Sequence, residues 1–168
     1  MFLNYLKDFF IKKTLKNNLL SVKNEAFTRN VKTIGLLIDE SDFRHSKELI
    51  EELISNGIDS ERIKIVVYRN KFKEQKTYSF PTFSKKHIDW KGNSKVDFLP
   101  EFIKTEFDLL ISYYDVQNPI LKLITSQSKA KFKVGFASID INRLMIDTAL
   151  ENYKLFVFEL FKYLKSIK

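Results

Sequence analysis

Apolar residues along this chain form short continuous runs separated by helical patterns, an alternation typical of an α/β fold with parallel strands. The clearest unit lies in residues 107–136. It begins with the apolar run 109–111, continues as a short helix from Asn118 and Pro119, and ends with the strand 132–136. Asparagine caps free helix amides, and proline at the first helical position gives up a donor that would otherwise stay unpaired. We therefore predict a strand–helix–strand unit here.

A second unit of the same kind precedes the first. The segments VKTIGLLI at 31–38 and IKIVVY at 63–68 predict strands. The helix predicted between them has Phe43, Ile50, Leu53 and Ile54 on its apolar face and ends near Gly57, a residue suited to a left-handed cap. The pattern also predicts a short helix within 97–106 and a brief last strand at 144–146. The strand–helix–strand unit is thus predicted twice along the chain, at 31–68 and at 107–136.

Helices are predicted at both ends. Residues 1–20 form an amphipathic basic pattern whose apolar stripe ends near Phe10. The C-terminal helical pattern is preceded by Thr148 and Glu151, which have the spacing of a capping box. The elements predict a three-layer Rossmann-like or flavodoxin-like α/β domain over 31–168, with a mostly parallel sheet of four to six strands and extra N- and C-terminal helices.

The composition narrows the class of protein. With 168 residues, 44% of them hydrophobic, the chain is long enough for one domain with a real core. It has no cysteine, which excludes disulfides, thiolate catalysis and cysteine–zinc sites. No apolar run is long enough to span a bilayer, and the N-terminus lacks the features of a signal peptide. We predict a cytoplasmic protein without a transmembrane segment.

Charge is distributed in blocks along the chain. The formal net charge is +8, and two basic blocks, residues 1–33 and 64–95, flank an acidic block at 34–63. This asymmetry indicates either an anionic partner or a lysine-rich surface that is simply solvated.

One candidate site lies where the predicted strands end, because ligands of open α/β sheets bind beyond the carboxyl ends of the strands. Carboxylates after the first strand suit a magnesium ion, but the same residue types are preferred helix caps, so we predict neither a metal nor a cofactor. The candidate ligand-binding residues are Asp39, Asp42, Arg69, Tyr114, Asp115, Ser138 and Asp140.

Signatures of nucleotide binding and of catalysis do not occur. Gly35 stands alone in its strand, so there is neither a GxGxxG turn nor a GxxxxGK loop. His45 and His87 are far apart in the sequence, and no motif frames a nucleophile with a base. We predict no catalytic residue.

A second candidate site is the basic stretch 71–95, which mixes lysines with Tyr78, Phe80, Phe83 and Trp90. Lysines interleaved with aromatic residues follow a phosphate backbone while bases stack, and the alternative is that the aromatic rings cover the sheet. The candidate nucleic-acid-binding residues are Lys12, Lys13, Lys16, Lys71, Lys73, Lys85, Lys86, Trp90 and Lys91.

Several segments resemble a family of small Bacteroidota (flavobacterial) proteins of unknown function, and the resemblance extends over nearly the whole chain. It implies no activity. The segments are FSKKHIDWKG at 83–92, EFDLLISYY at 106–114, LITSQSKAKFKVGF at 123–136 and FELFKYLK at 158–165.

Residues 107–136 also resemble the N-terminal domain of heptosyltransferase-type glycosyltransferases. That resemblance implies a shared Rossmann-like fold. It does not imply the activity, because the chain has no length for the second domain that holds the sugar nucleotide in those enzymes. Their glycine-containing acceptor loop after the first strand is replaced here by residues 39–43.

These observations lead to one main functional hypothesis and two alternatives. We expect a non-catalytic protein that binds an anionic macromolecule, either RNA or a ribonucleoprotein, through its basic blocks. The first alternative is a small-molecule-binding or degenerate glycosyltransferase-like domain with its site at the strand ends. The second is a protein–protein module that docks through the helix predicted at 1–20.

Overall fold

The computed structural model describes residues 31–166. The helix predicted over 1–20, with its candidate residues Lys12, Lys13 and Lys16, lies outside them.

The described part of the chain alternates between strands and helices. The strands are β1 (Ile34–Asp39), β2 (Ile63–Tyr68), β3 (Thr82–Phe83), β4 (Leu109–Tyr113), β5 (Phe132–Phe136) and β6 (Leu144–Ile146). The α-helices are α1 (Ser46–Ser55), α2 (Phe98–Lys104), α3 (Pro119–Gln127) and α4 (Tyr153–Ser166). Short 3-10 turns occur at Ser60–Arg62 and Lys85–His87.

The six strands form one sheet in which every pairing is parallel, in the order β3-β2-β1-β4-β5-β6. This is the order of a Rossmann fold, in which the chain runs outward from a central pair of strands in both directions. The central pair is β1 and β4, with Leu36 opposite Ile111. The predicted α/β class and parallel sheet are confirmed, while the domain boundaries at 31–168 stay a prediction.

Helices cover both faces of the sheet, so the central strands β1 and β4 are buried from two sides. Alternate residues of β1 divide between the faces, with Leu36 and Ile38 in the core that includes α1 and α4, and Leu37 in the core that includes α2 and α3. This double burial explains why the strands read as continuous apolar runs.

Two helix starts differ from the sequence prediction. Phe43, predicted on the apolar face of the helix after β1, lies in the loop before α1, although its side chain is buried against Tyr113 at a ring distance of 4.8 Å. The C-terminal helix begins after Asn152, whose Oδ1 accepts from the Leu155 backbone N–H at 3.3 Å. Asn152 rather than Thr148 therefore caps α4.

Two connections between parallel strands contain no α-helix. Residues 69–81 join β2 to β3, and residues 137–143 join β5 to β6. The first of these segments returns over the carboxyl edge of the sheet and forms one wall of the cavity described below.

Candidate functional site

Asp39 ends β1 at the carboxyl edge of the sheet. Its Oδ1 accepts from the Ser41 backbone N–H at 2.9 Å. Burial raises the pKa of Asp39, the hydrogen bonds from Ser41 oppose that rise, and the negative charges of Asp42 and Asp115 add to it. The ligand site predicted at these carboxylates stays a prediction. Among the described residues, no group of three acidic or histidine side chains is arranged to hold a metal ion.

The loops after β4 and β5 are joined by hydrogen bonds. Ser138 Oγ donates to the Asp115 carbonyl at 3.0 Å, and Gln117 Nε2 donates to the Ser138 carbonyl at 2.6 Å. Asp140 is exposed and lies 3.6 Å from the Lys122 ammonium. These contacts tie the two loops together near the central strands.

Tyr114 does not join the other candidates. Its side chain is buried in the core shared with α2 and α3, and its hydroxyl lies 2.8 Å from Thr125 Oγ1, which is 3.0 Å from Ser112 Oγ. Burial raises the Tyr114 pKa strongly. The alternation at the end of β4 turns this side chain inward, so its hydroxyl is separated from the carboxyl edge.

Arg69 links the end of β2 to the end of β1. Its guanidinium forms an ion pair with Glu40, and its Cζ lies 5.1 Å from the centre of the Tyr78 ring. Its Nε is buried without a hydrogen-bond partner in the described part of the chain.

A cavity of about 530 Å³ opens between the start of α1 and the returning segment 69–81. Its walls carry four basic and two acidic side chains, together with Ser46, Tyr78 and Phe80. Of the seven predicted ligand-binding residues, only Arg69 lines it. The charged wall residues are Arg44, Lys47, Arg69, Lys76, Glu40 and Glu48.

The sequence interpretation missed Ser46, Arg44, Lys47 and Lys76. The available signal was the position of the first helix directly after β1, which brings a helix start to the carboxyl edge. Lys76 had no such signal, because its place depends on the path of an irregular segment.

The basic stretch 71–95 has a mixed environment. Phe83 is buried in the core, as the sheet-covering alternative predicts. Trp90 is 51% exposed, and the Lys91 ammonium lies 5.1 Å from the centre of its ring. Lys86 Nζ lies 3.0 Å from Glu74 Oε1 and 4.7 Å from the centre of the Phe72 ring. The backbone N–H of Lys73 donates to the Tyr78 hydroxyl at 2.9 Å, Lys71 is exposed and Lys85 is half-buried.

A serine and a histidine are in contact in the same stretch. The Ser84 backbone N–H donates to His87 Nδ1 at 3.0 Å, and Ser84 Oγ lies 3.4 Å from the same nitrogen. Ser84 is buried, and burial followed by the charge of Lys86 lowers the His87 pKa. This contact closes the turn at Lys85–His87.

Six parallel strands in this order, helices on both faces and a polar cavity at the carboxyl edge define a Rossmann-like α/β domain. The chain belongs to a family of unknown function, DUF6913, whose model matches residues 7–167. No curated protein and no solved structure matches the chain significantly. The Bacteroidota origin implied by the sequence resemblance stays a prediction.

The described α-helices are between 7 and 14 residues long. Between residues 31 and 166, none of them is long and apolar enough to cross a bilayer.

Proposed function

We propose that this protein is a non-catalytic ligand-binding domain whose site is the cavity between α1 and residues 69–81. The cavity volume of about 530 Å³ carries the proposal. It lies within the range of about 300–1,000 Å³ that is typical of small-molecule sites. Its position at the carboxyl ends of parallel strands is where α/β domains bind ligands.

A cavity-filling variant tests this function. Ser79 is exposed and lines the cavity, so Ser79→Trp should fill it without entering the core. We expect compounds found by a thermal-shift screen of metabolites to bind the wild type and to lose binding to this variant. Ser60→Trp, an exposed serine outside the cavity, is the matched control and should bind like the wild type. Equal binding by both variants, or no binder in the screen, would remove the proposal.

A more specific form of this proposal is a degenerate glycosyltransferase-like domain. It is supported by the resemblance of residues 107–136 to the heptosyltransferase-type enzymes. We expect such a domain to bind a sugar or a nucleotide sugar. Titration calorimetry with three ligands, a nucleotide sugar, the free sugar and the free nucleotide, measures this binding. If none of the three ligands gives a heat of binding, the glycosyltransferase-like form is wrong and only the general ligand-binding proposal remains.

RNA binding is a second candidate function. It is favoured by the exposed Trp90 ring beside the Lys91 ammonium. Stacking of bases on an aromatic ring next to a cation is typical of proteins that bind single strands. Filter binding of single-stranded RNA should weaken steeply as salt rises, and Trp90→Ala should weaken it further. Phe158→Ala, at a 61% exposed ring on α4, is the control. No binding at low salt would remove this candidate.

The protein–protein hypothesis concerns residues outside the described part of the chain. We expect deletion of residues 1–16 to abolish partner capture while the remaining chain still unfolds cooperatively. A cytoplasmic location belongs to each of these proposals, and subcellular fractionation would test it.

A further inference from the structure

We propose that the cavity binds a phosphate monoester, with the phosphate placed on the amino end of α1. This inference rests on the small-molecule function proposed above. Helix α1 is ten residues long, and His45 at its N-cap position makes no side-chain cap hydrogen bond. The first N–H groups of a helix have no partner within the helix, and its dipole favours an anion at this end.

The Ser46 hydroxyl supplies a second and independent observation. Ser46 is the first residue of α1, is 3% exposed and lines the cavity. Its Oγ has no hydrogen-bond partner within the described residues. Buried hydroxyl groups are nearly always paired. The unpaired Ser46 hydroxyl can therefore donate a hydrogen bond to a ligand bound in the cavity.

Cations complete the site. Arg44, Lys47 and Lys76 line the same cavity, and the guanidinium of Arg69 is held there by Glu40 while its Nε stays unpaired. Phosphate oxygens form short, strong hydrogen bonds with such groups. The distribution of charge therefore favours an anion over a neutral ligand.

The two acidic residues of the cavity wall, Glu40 and Glu48, differ in their effect on a bound anion. Glu40 is already neutralised by Arg69. Glu48 lies in the first turn of α1, with its Oε1 3.7 Å from His45 Nδ1. Its charge opposes a bound phosphate, so removing that charge should strengthen binding.

The loop before α1 indicates a single phosphate rather than the pyrophosphate of a dinucleotide. Dinucleotide-binding Rossmann folds use glycines here, because the backbone must come close to the pyrophosphate. Residues 40–45 contain no glycine. A terminal phosphate needs only the helix end and the Ser46 hydroxyl, and the organic part of the ligand then lies against Tyr78 and Phe80.

The probes are inorganic phosphate, phenyl phosphate and, as the uncharged counterpart, phenol. We expect phenyl phosphate to bind more tightly than phenol, and both phosphates to shift the backbone amide resonances of Ser46, Lys47 and Glu48. Ser46→Ala should weaken phenyl phosphate at least about tenfold, the size of a lost hydrogen bond to a charged group. Glu48→Gln should strengthen it, and Lys129→Ala, which removes an exposed lysine outside the cavity, should leave it unchanged.

Stability separates a lost contact from a damaged fold. Because the Ser46 hydroxyl is unpaired, Ser46→Ala should melt at the same temperature as the wild type or higher. Lys47→Gln is the second variant. Because Lys47 is exposed, this change should weaken phenyl phosphate without unfolding α1.

The outcomes distinguish this inference from the general function. If phenol or another neutral compound binds in the cavity and Ser79→Trp blocks it, but Ser46→Ala and Lys47→Gln leave phosphate binding unchanged, the phosphate site is wrong and the ligand-binding function stands. If no compound binds in a manner sensitive to Ser79→Trp, both proposals fall.

Discussion

Arg69 at the end of β2 is paired with Glu40 at the end of β1, and the pair joins the two strands that border the cavity. Backbone hydrogen bonds reinforce it. The Glu40 N–H donates to the Tyr68 carbonyl at 2.9 Å, and the Asn70 N–H donates to Ser41 Oγ at 2.9 Å. The edge of the sheet at the cavity is therefore fixed by both side chains and backbone.

Removing the cation should destabilise this edge. Arg69→Met leaves the largely buried Glu40 carboxylate without its partner, and we expect the free energy of unfolding to fall by about 1–3 kcal/mol, measured by urea denaturation. Lys64→Met is the control, because the Lys64–Glu101 pair is exposed and such pairs contribute about 0–1 kcal/mol. An equal loss for both variants would contradict the structural role of Arg69.

Gly35 in β1 is required by the ring of Phe107. A Cβ at position 35 would lie 2.6 Å from two carbons of that buried ring. Gly35→Ala should therefore lower the free energy of unfolding by about 1–3 kcal/mol, as overpacking does in other cores. In a Phe107→Leu background the smaller side chain makes room, and the same change should cost less. Strictly additive effects in denaturation experiments would show that the ring does not set the requirement for glycine.

Lys133 should make stability depend on pH. Burial lowers its pKa to about 8, and its ammonium donates to the Ser126 carbonyl at 3.2 Å. Between pH 8 and the ordinary lysine pKa of about 10.4, the unfolded chain binds a proton that the folded chain does not, so stability rises with pH across this window. Lys133→Met should abolish that rise and should be more stable than the wild type at pH 7.

The measurement is the free energy of unfolding at several pH values for both chains. The difference between them isolates Lys133 from other groups that titrate in the same window. A parallel pH dependence in the two chains would contradict the lowered pKa.

Asn142 lies in the segment between β5 and β6 and packs against Gly135. Both amide atoms of its side chain are buried without a partner in the described part of the chain. Asn142→Leu should leave the free energy of unfolding unchanged or raise it by up to about 1–3 kcal/mol, because it removes unpaired polar atoms. Ser112→Ala is the contrast and should lower stability, because that hydroxyl is 3.0 Å from Thr125 Oγ1. A larger loss for Asn142→Leu would overturn this account.

The sequence was most informative where burial is uniform. Strand β4 was predicted at the right place because helices cover both its faces, which makes its apolar run continuous. Strand β5 was predicted from the alternation of Phe132, Val134 and Phe136 with polar or small residues. For residues 69–95 the sequence left open either short edge strands or an ordered loop, and it did not locate β3, because two residues cannot display a period. Its parallel pairing depends on the path of residues 69–81, which no local pattern encodes.

The candidate site was only partly predictable, because part of it depends on long-range chain paths that no local sequence pattern encodes. Parallel strands end at one edge of the sheet, so the fold class alone places Asp39 and Asp115 at the carboxyl edge, where β1 and β4 are neighbours. The cavity required a long-range return of the chain over α1, and the unpaired Ser46 hydroxyl is visible only once its neighbours are known. Tyr114 was misplaced because one residue of alternation decides between edge and core.

The two outer strands, β3 and β6, are only two and three residues long. An open sheet border exposes backbone donors and acceptors that recruit further chains, and shortening it is one way in which natural proteins avoid aggregation. This sheet thus limits its own capacity to grow. Insertions that lengthen β3 or β6 should promote fibre-like association at high concentration, even when the rest of the domain stays intact.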